Sequence, residues 1–212
     1  ATVQDMLRNF ALVTLGNLLG ALVYAVLFWA CYSKLGDNLD HKMGVKAAAI
    51  AAAKTLKYEE HGGIGWFTAF FKAICCNWMV TMGVIMNFTS KSTIGRMAAF
   101  WMPIMIFFAH GYEHAIVNFY IIPAGMFFGA DVTIVHWWLW NQIPVLLGNF
   151  IGGCCLTGLP LAYCYPVPRE EQPAAAPPAP PAFDTQLPPA IVKAAVDAGA
   201  AKCKLPISQM VL

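Results

Sequence analysis

Charged residues are scarce in this sequence: Lys, Arg, Asp and Glu make up only 11% of its 212 residues, against about 25% in a typical soluble domain. Hydrophobic residues make up 59%. So little polar surface cannot cover a water-soluble globule, which indicates an integral membrane protein. The formal net charge of +2, without a basic run alternating with aromatics, argues against a nucleic-acid-binding protein.

The sequence also lacks any C-x-x-C pair, although it contains seven cysteines. Two adjacent pairs, Cys75–Cys76 and Cys154–Cys155, fall within apolar segments. The odd count and the apolar surroundings predict free thiols that behave as small hydrophobic side chains. We therefore expect no disulfide framework.

Four apolar segments are long enough to cross about 30 Å of hydrocarbon: residues 10–32, 66–88, 98–128 and 141–163. The third is too long for one straight crossing and contains Pro103, Gly111 and Pro123. Broken helices occur at membrane depth where protein or a cavity satisfies the freed backbone groups. We therefore predict a break near the middle of this segment.

The remaining segments differ in composition from the four apolar ones. Residues 45–56 are rich in alanine and flanked by lysines, which predicts a short helix at the membrane surface. From residue 166 proline and alanine dominate. We predict a transmembrane channel domain over residues 1–165 and a Pro/Ala-rich disordered tail over residues 166–212.

A six-residue pattern occurs twice, as LGNLLG at residues 15–20 and as LGNFIG at residues 147–152. Both copies place an asparagine between glycines in an apolar segment. Duplicated transmembrane halves are the usual plan of channels and secondary transporters, although coincidence remains an alternative in so apolar a chain.

Three ionisable residues, His110, Glu113 and His114, interrupt the third apolar segment. A charged group at the centre of a bilayer costs about 2.5–3.5 kcal/mol on insertion scales. Three interpretations remain open: a solute path, a buried structural histidine, or a zinc site, because H-x-x-E-H is the inverted metalloprotease motif. The expected break at Gly111 argues against the regular helix that the zinc site needs.

The residues GYEHAIVN at 111–118, followed by IPAG at 122–125, resemble the formate/nitrite transporter family. Further stretches at 15–17, 76–80 and 141–153 agree with it, so the likeness covers about residues 1–163. The resemblance implies an all-α integral membrane protein, an aquaporin-like inverted-repeat helical bundle with broken helices that assembles as a homopentamer. On this mapping the chain supplies the third to sixth spans and lacks the first two.

The resemblance also implies roles for individual residues. His114 matches the central pore histidine, Glu113 its neighbour and Asn149 the asparagine that orients the histidine. The remaining positions assigned to the substrate path are two polar residues and two constriction residues: Asn77, Asn118, Phe107 and Val80. At the vestibule, where the family usually has a lysine, the matching place is His61, with Lys57 and Lys72 nearby.

The expected function is passage of small monovalent anions, with bicarbonate, nitrite and formate as candidates, and not enzymatic catalysis. This transport function involves neither a cofactor nor a metal. The tail resembles the green-algal chloroplast-envelope branch of the family, which implies the inner envelope membrane. The expected partners are the anion, membrane lipid and further copies of the chain. Two alternatives stay open: a non-conducting membrane subunit or scaffold, and an intramembrane metallohydrolase.

Overall fold

The computed structural model describes residues 2–166, so nearly all of the predicted tail at 166–212 lies outside the described residues. Every regular element in the described part is a helix. The helices are α1 (Val3–Tyr32), α2 (Lys42–Lys54), α3 (Leu56–Glu60), α4 (Gly62–Thr89), α5 (Thr93–Ala109), α6 (Ala115–Phe127) and α7 (Ile134–Cys164). Helix α7 contains two π-helical stretches, Trp138–Gln142 and Cys154–Gly158.

Three helices, α1, α4 and α7, are long and apolar enough to cross a membrane, with 30, 28 and 31 residues. At 1.5 Å per residue each exceeds the hydrocarbon thickness. The shorter apolar helices α5 and α6 follow one another and take the place of the third apolar segment. The predicted all-helical membrane fold with a broken helix is therefore confirmed.

The break between α5 and α6 is set by Gly111. Its φ of +61° lies in the left-handed region that glycine adopts without strain. The N–H of Gly111 donates to the Phe108 carbonyl and that of Tyr112 to the Phe107 carbonyl, both at 3.1 Å, which is a Schellman termination. Pro103 lies within α5 and does not interrupt this helix.

Helix α7 packs tightly on α4 through the second copy of the repeat. A Cβ atom on Gly148 would overlap the Phe70 carbonyl oxygen, and one on Gly152 would overlap that of Ile74. Only glycine therefore permits this backbone approach. In the first copy, within the described residues, no atom lies within 4 Å of a Cβ built on Gly16.

Helix α2 packs against α6, which confirms the predicted short helix, while its position at the membrane surface stays a prediction. Its residues Ala47 and Ala51 are buried, and a Cβ on Gly125 of α6 would lie 2.7 Å from the Ala47 carbonyl oxygen. The alanine-rich composition serves close helix packing, because small side chains let the two backbones approach. This packing brings Lys54, the last residue of α2, to the break between α5 and α6.

Candidate functional site

A buried carboxylate, that of Glu113, lies at the break between α5 and α6. Its Oε2 accepts from Lys54 Nζ at 2.8 Å, from Asn118 Nδ2 at 2.8 Å and from Asn141 Nδ2 at 3.2 Å. Its Oε1 accepts from the Tyr58 hydroxyl at 2.8 Å. A buried charge is tolerated when it is both paired and hydrogen-bonded, and Glu113 meets both conditions. We call these five residues the Glu113 cluster.

Four helices besides the break contribute to the Glu113 cluster. Lys54 ends α2, Tyr58 lies on α3, Asn118 is near the start of α6 and Asn141 lies in the first π-helical stretch of α7. Asn141 also donates to the Lys54 carbonyl at 2.9 Å. Its Oδ1 accepts from Asn118 Nδ2 at 2.8 Å. The cluster therefore ties α2, α3, α6 and α7 together around one carboxylate.

Asn118 belongs to this cluster and lines neither of the cavities described below. Its side chain is fully buried. Both partners of its Nδ2, on Glu113 and Asn141, are acceptors, so the amide orientation is fixed by the network. Its Oδ1 has no partner among residues 2–166. The Asn118 side chain thus supports the carboxylate, and its place in the substrate path stays a prediction.

Lys72 lies at the edge of the Glu113 cluster. Its Nζ is 3.4 Å from the Tyr58 hydroxyl and 5.7 Å from the centre of the Tyr58 ring. Burial, reinforced by the charge of Glu113, raises the pKa of Tyr58 above its ordinary value. The phenol therefore stays protonated and acts as a donor to Glu113.

His114 caps the N-terminus of α6 with its own ring. The Val117 N–H donates to His114 Nδ1 at 3.3 Å. Because Nδ1 accepts, the proton of the neutral ring sits on Nε2. The ring stacks on buried Phe107, with centroids 5.7 Å apart and planes at 24°. The histidine thus has a fixed tautomer and a fixed ring plane.

Asn149 holds the main chain on both sides of His114. Its Nδ2 donates to the Glu113 carbonyl at 2.9 Å, and its Oδ1 accepts from the Ala115 N–H at 2.9 Å. Asn149 thus fixes the two peptide groups that flank the histidine, while the ring itself is oriented by its own cap. The orienting role of Asn149 stays a prediction. Asn77 in turn donates from Nδ2 to the Asn149 carbonyl at 2.6 Å.

Two cavities meet at His114 and Ile116. The first, of about 370 Å³, lies between α1 and α6. The second, of about 600 Å³, lies among α1, α4, α6 and α7. Besides the two shared residues, the lining of the first includes Asn17, Tyr24, Val117 and Tyr120, and that of the second includes Phe10, Asn77, Leu146, Asn149, Phe150 and Cys154.

The expected constriction and vestibule residues are not all brought together. Phe107 contacts the His114 ring, but Val80 is half-buried on α4 and lines neither cavity. Lys57 and His61 are exposed near the end of α3. In the α4–α5 hairpin Gly83 faces Pro103. Val80 and Phe107 lie one turn further along the same two faces. Their pairing as a constriction stays a prediction.

The H-x-x-E-H pattern is not helical. His110 ends α5, with Nδ1 2.8 Å from the Ile106 carbonyl oxygen and its ring tilted on Tyr112. The break separates it from His114, and Glu113 is occupied by the cluster. Within residues 2–166 no group of three or more His, Cys, Asp or Glu side chains is arranged to hold a metal. The metallohydrolase interpretation therefore loses its geometric basis.

The sequence reasoning missed Lys54, Tyr58 and Asn141 as functional candidates. Lys54 was interpreted as the flank of a surface helix, and the start of the 141–153 stretch carried no assigned role. One signal was available: a buried carboxylate needs a cation, and five lysines precede the second apolar segment. Sequence alone could not choose among them.

Comparison with known proteins identifies relatives of this chain. The family model described as Formate/nitrite transporter matches residues 1–163. The chain is 32% identical over 175 residues to the "Probable formate transporter" of Methanothermobacter thermautotrophicus, covering 78% of this chain and 61% of that protein. It is 30% identical over 176 residues to the "Formate channel FocA" of Haemophilus influenzae, covering 74% and 59%.

Solved structures show the same likeness. A "Pentameric formate channel with formate bound" superposes with a TM-score of 0.63 at 26% identity, covering 76% of this chain and 68% of that chain. An "FNT family ion channel" gives a TM-score of 0.62 at 26% identity, covering 78% and 62%. The chain spans about three fifths of the length of the curated relatives it matches.

The helical membrane bundle, broken at a histidine between two cavities, places this protein among membrane channels and transporters. The family match makes the assignment specific: the chain belongs to the formate/nitrite transporter family. The family predicted from residues 111–118 is therefore confirmed. The relatives are named as channels or transporters, in agreement with the expectation that the chain is not an enzyme.

Proposed function

We propose that this chain lines a passage for a small monovalent anion and that the anion meets His114 on the way. The observation that carries the proposal is the arrangement of this ring. Its Nδ1 is occupied by the Val117 N–H, and the residue lines both cavities. The Nε2–H is then the donor left for a ligand. A single donor at the meeting point of two cavities suits a small oxyanion.

The tautomer of His114 limits the chemistry that its ring can perform. A neutral ring that gives up its Nε2 proton would become an imidazolate, which is strongly unfavourable. With Nδ1 capped, the ring therefore assists by donating a hydrogen bond, and a full proton transfer needs a proton from elsewhere. The N-terminus of α6 adds a partial positive charge of about +0.5 at this point, as in other broken membrane helices that face anionic groups.

Glu113 would repel an anion if it were unpaired, because it is the neighbour of His114 in the chain. The Lys54 ammonium at 2.8 Å from Oε2 neutralises it. Lys72, beside Tyr58, adds one further positive charge. The three fixed charges near the histidine therefore sum to +1, which is compatible with anion passage.

The finer assignments extend the proposal. We propose a homopentamer, since one similar solved structure is a pentameric formate channel. The resemblance to the green-algal chloroplast-envelope branch supports an inner-envelope location and nitrite or bicarbonate as substrate, with formate as a further candidate. We assign Lys57 and His61, which are exposed, to the attraction of anions, and Phe107 to the apolar wall beside His114.

Liposome flux of the purified full chain tests the proposal. Nitrite, formate and bicarbonate are offered separately, and protein-free liposomes serve as the control. We expect at least one of the three to enter faster than in the control, and sulfate, a divalent anion, not to. Entry of none of the three anions would contradict the proposal and favour a non-conducting subunit or scaffold.

A further inference from the structure

An apolar groove of about 460 Å³ lies beside the hairpin of α4 and α5 and shares no residue with the Glu113 cluster or with the cavities at His114. Helix α5 packs on α4 at this hairpin: a Cβ on Gly83 would lie 3.5 Å from Pro103 Cγ. One end of the groove is polar, with Asn87, Thr93 and Arg96. The chemistry of the groove changes along its length.

Arg96 sits at the polar end with its guanidinium partly anchored. Its Nε donates to the Ser90 carbonyl at 3.1 Å. Among the residues that the structure describes, neither of its two Nη atoms has a protein partner. The side chain is exposed. The guanidinium is therefore anchored at Nε alone and keeps free donors at its Nη atoms, and its planar fork suits a phosphate group.

The other end of the groove follows one face of α5. Met97, Trp101 and Ile104 are spaced by four and three residues, so their side chains align along the helix. Met97 is 68% exposed and Trp101 is 64% exposed. Tryptophan is enriched where the bilayer meets water. The surface thus becomes more apolar with distance from Arg96, so its far end suits contact with hydrocarbon.

We propose that this groove binds an anionic phospholipid, with its phosphate on Arg96 and an acyl chain along Met97, Trp101 and Ile104. Charge complementarity favours an anionic lipid over a zwitterionic one. The chain has no Asp or Glu between residues 61 and 112, so no acidic residue of the α4–α5 hairpin offsets Arg96. Basic pockets between membrane helices bind anionic head groups in this way.

Lipid titration of the full-chain protein in detergent micelles tests the proposal. Phosphatidylglycerol and phosphatidylcholine with brominated acyl chains quench tryptophan fluorescence on contact. We expect tighter binding of phosphatidylglycerol, and we expect Trp101→Phe to remove the part of the quenching that differs between the two lipids. Quenching of equal strength by both lipids, or a difference that survives Trp101→Phe, would overturn the proposal.

Two charge variants separate the groove from general surface charge. Arg96→Gln should weaken phosphatidylglycerol binding about fivefold, the value of one basic residue near an anionic surface. Lys91→Gln removes the same charge at the same end of the hairpin but outside the groove, and should leave the affinity unchanged. Equal losses in both variants would show diffuse attraction and would contradict a built site.

A third variant keeps the test decisive if Arg96→Gln does not fold. Ile104→Trp fills the apolar end without changing charge and should abolish the lipid preference, whereas Met105→Trp on the exposed neighbouring face should retain it. If Ile104→Trp instead changes the mass of the protein particle in micelles and leaves lipid affinity intact, the groove joins two copies of the chain and the lipid proposal fails.

Discussion

Removal of the cation from the Glu113 cluster is the perturbation with the clearest expected size. In Lys54→Met the ammonium that lies 2.8 Å from Glu113 Oε2 is lost, while most of the side-chain volume is retained. The carboxylate, 2% exposed at its side chain, keeps its hydrogen bonds from Tyr58, Asn118 and Asn141. It then lacks any counter-charge within hydrogen-bonding distance among residues 2–166.

Breaking a buried ion pair from one side costs about 3–5 kcal/mol. The three neutral donors that remain place Lys54→Met at the lower end, about 3 kcal/mol. For a chain of this size that lowers Tm by about 6–12 °C. Glu113→Gln should cost less, because the Lys54 side chain is 18% exposed and its ammonium can reach water. The double variant, Lys54→Met with Glu113→Gln, leaves no unpaired buried charge. It should therefore be more stable than Lys54→Met alone.

Thermal unfolding in detergent, followed by circular dichroism, measures these differences. Lys57→Met is the matched control, since Lys57 is exposed and its loss should leave Tm unchanged. The electrostatic reasoning fails if Lys54→Met melts together with Lys57→Met. It also fails if the double variant with Glu113→Gln is no more stable than Lys54→Met.

Two further predictions concern packing and pH. Gly148→Ala places a methyl group against the Phe70 carbonyl oxygen and should destabilise the α4–α7 contact by about 1–3 kcal/mol. The control is Gly63→Ala, where no described atom lies within 4 Å of the new Cβ. Its Tm should equal that of the wild type. The second concerns Tyr58, whose pKa is raised by burial and by Glu113. The stability that the protonated Tyr58 hydroxyl adds is intact below about pH 10, the ordinary pKa of tyrosine in the unfolded chain. It is lost as the pH rises further. The Tm advantage of wild type over Tyr58→Phe should therefore shrink above pH 10, and a constant difference would contradict the assignment.

The break in the third apolar segment could be predicted from sequence, but its cause could not. Both prolines were candidates, yet Pro103 and Pro123 lie inside helices. Gly111 ends α5 because two carbonyls of its last turn find donors in a left-handed turn. Local composition indicates that the helix breaks in this segment. Which glycine or proline ends the helix depends on how the resulting helices pack in three dimensions.

The partners of Glu113 could not be predicted, because they lie far apart in the chain. Lys54 precedes Glu113 by 59 residues and Asn149 follows it by 36. The position of α2 against α6 decides which lysine reaches the carboxylate. The histidine predicted for the pore, His114, lies at the break and lines both cavities. The orientation of its ring through Val117 became visible only in three dimensions.

Anion flux of His114→Ala compared with His110→Ala tests the central claim most directly. Both residues are histidines near the same break, but His110 is exposed and lies on the end of α5, while His114 lines both cavities. In liposomes of the full chain, we predict that His114→Ala changes the rate of the transported anion and its dependence on pH, while His110→Ala transports like the wild type. Equal flux in both variants at every pH would contradict a passage that runs by His114.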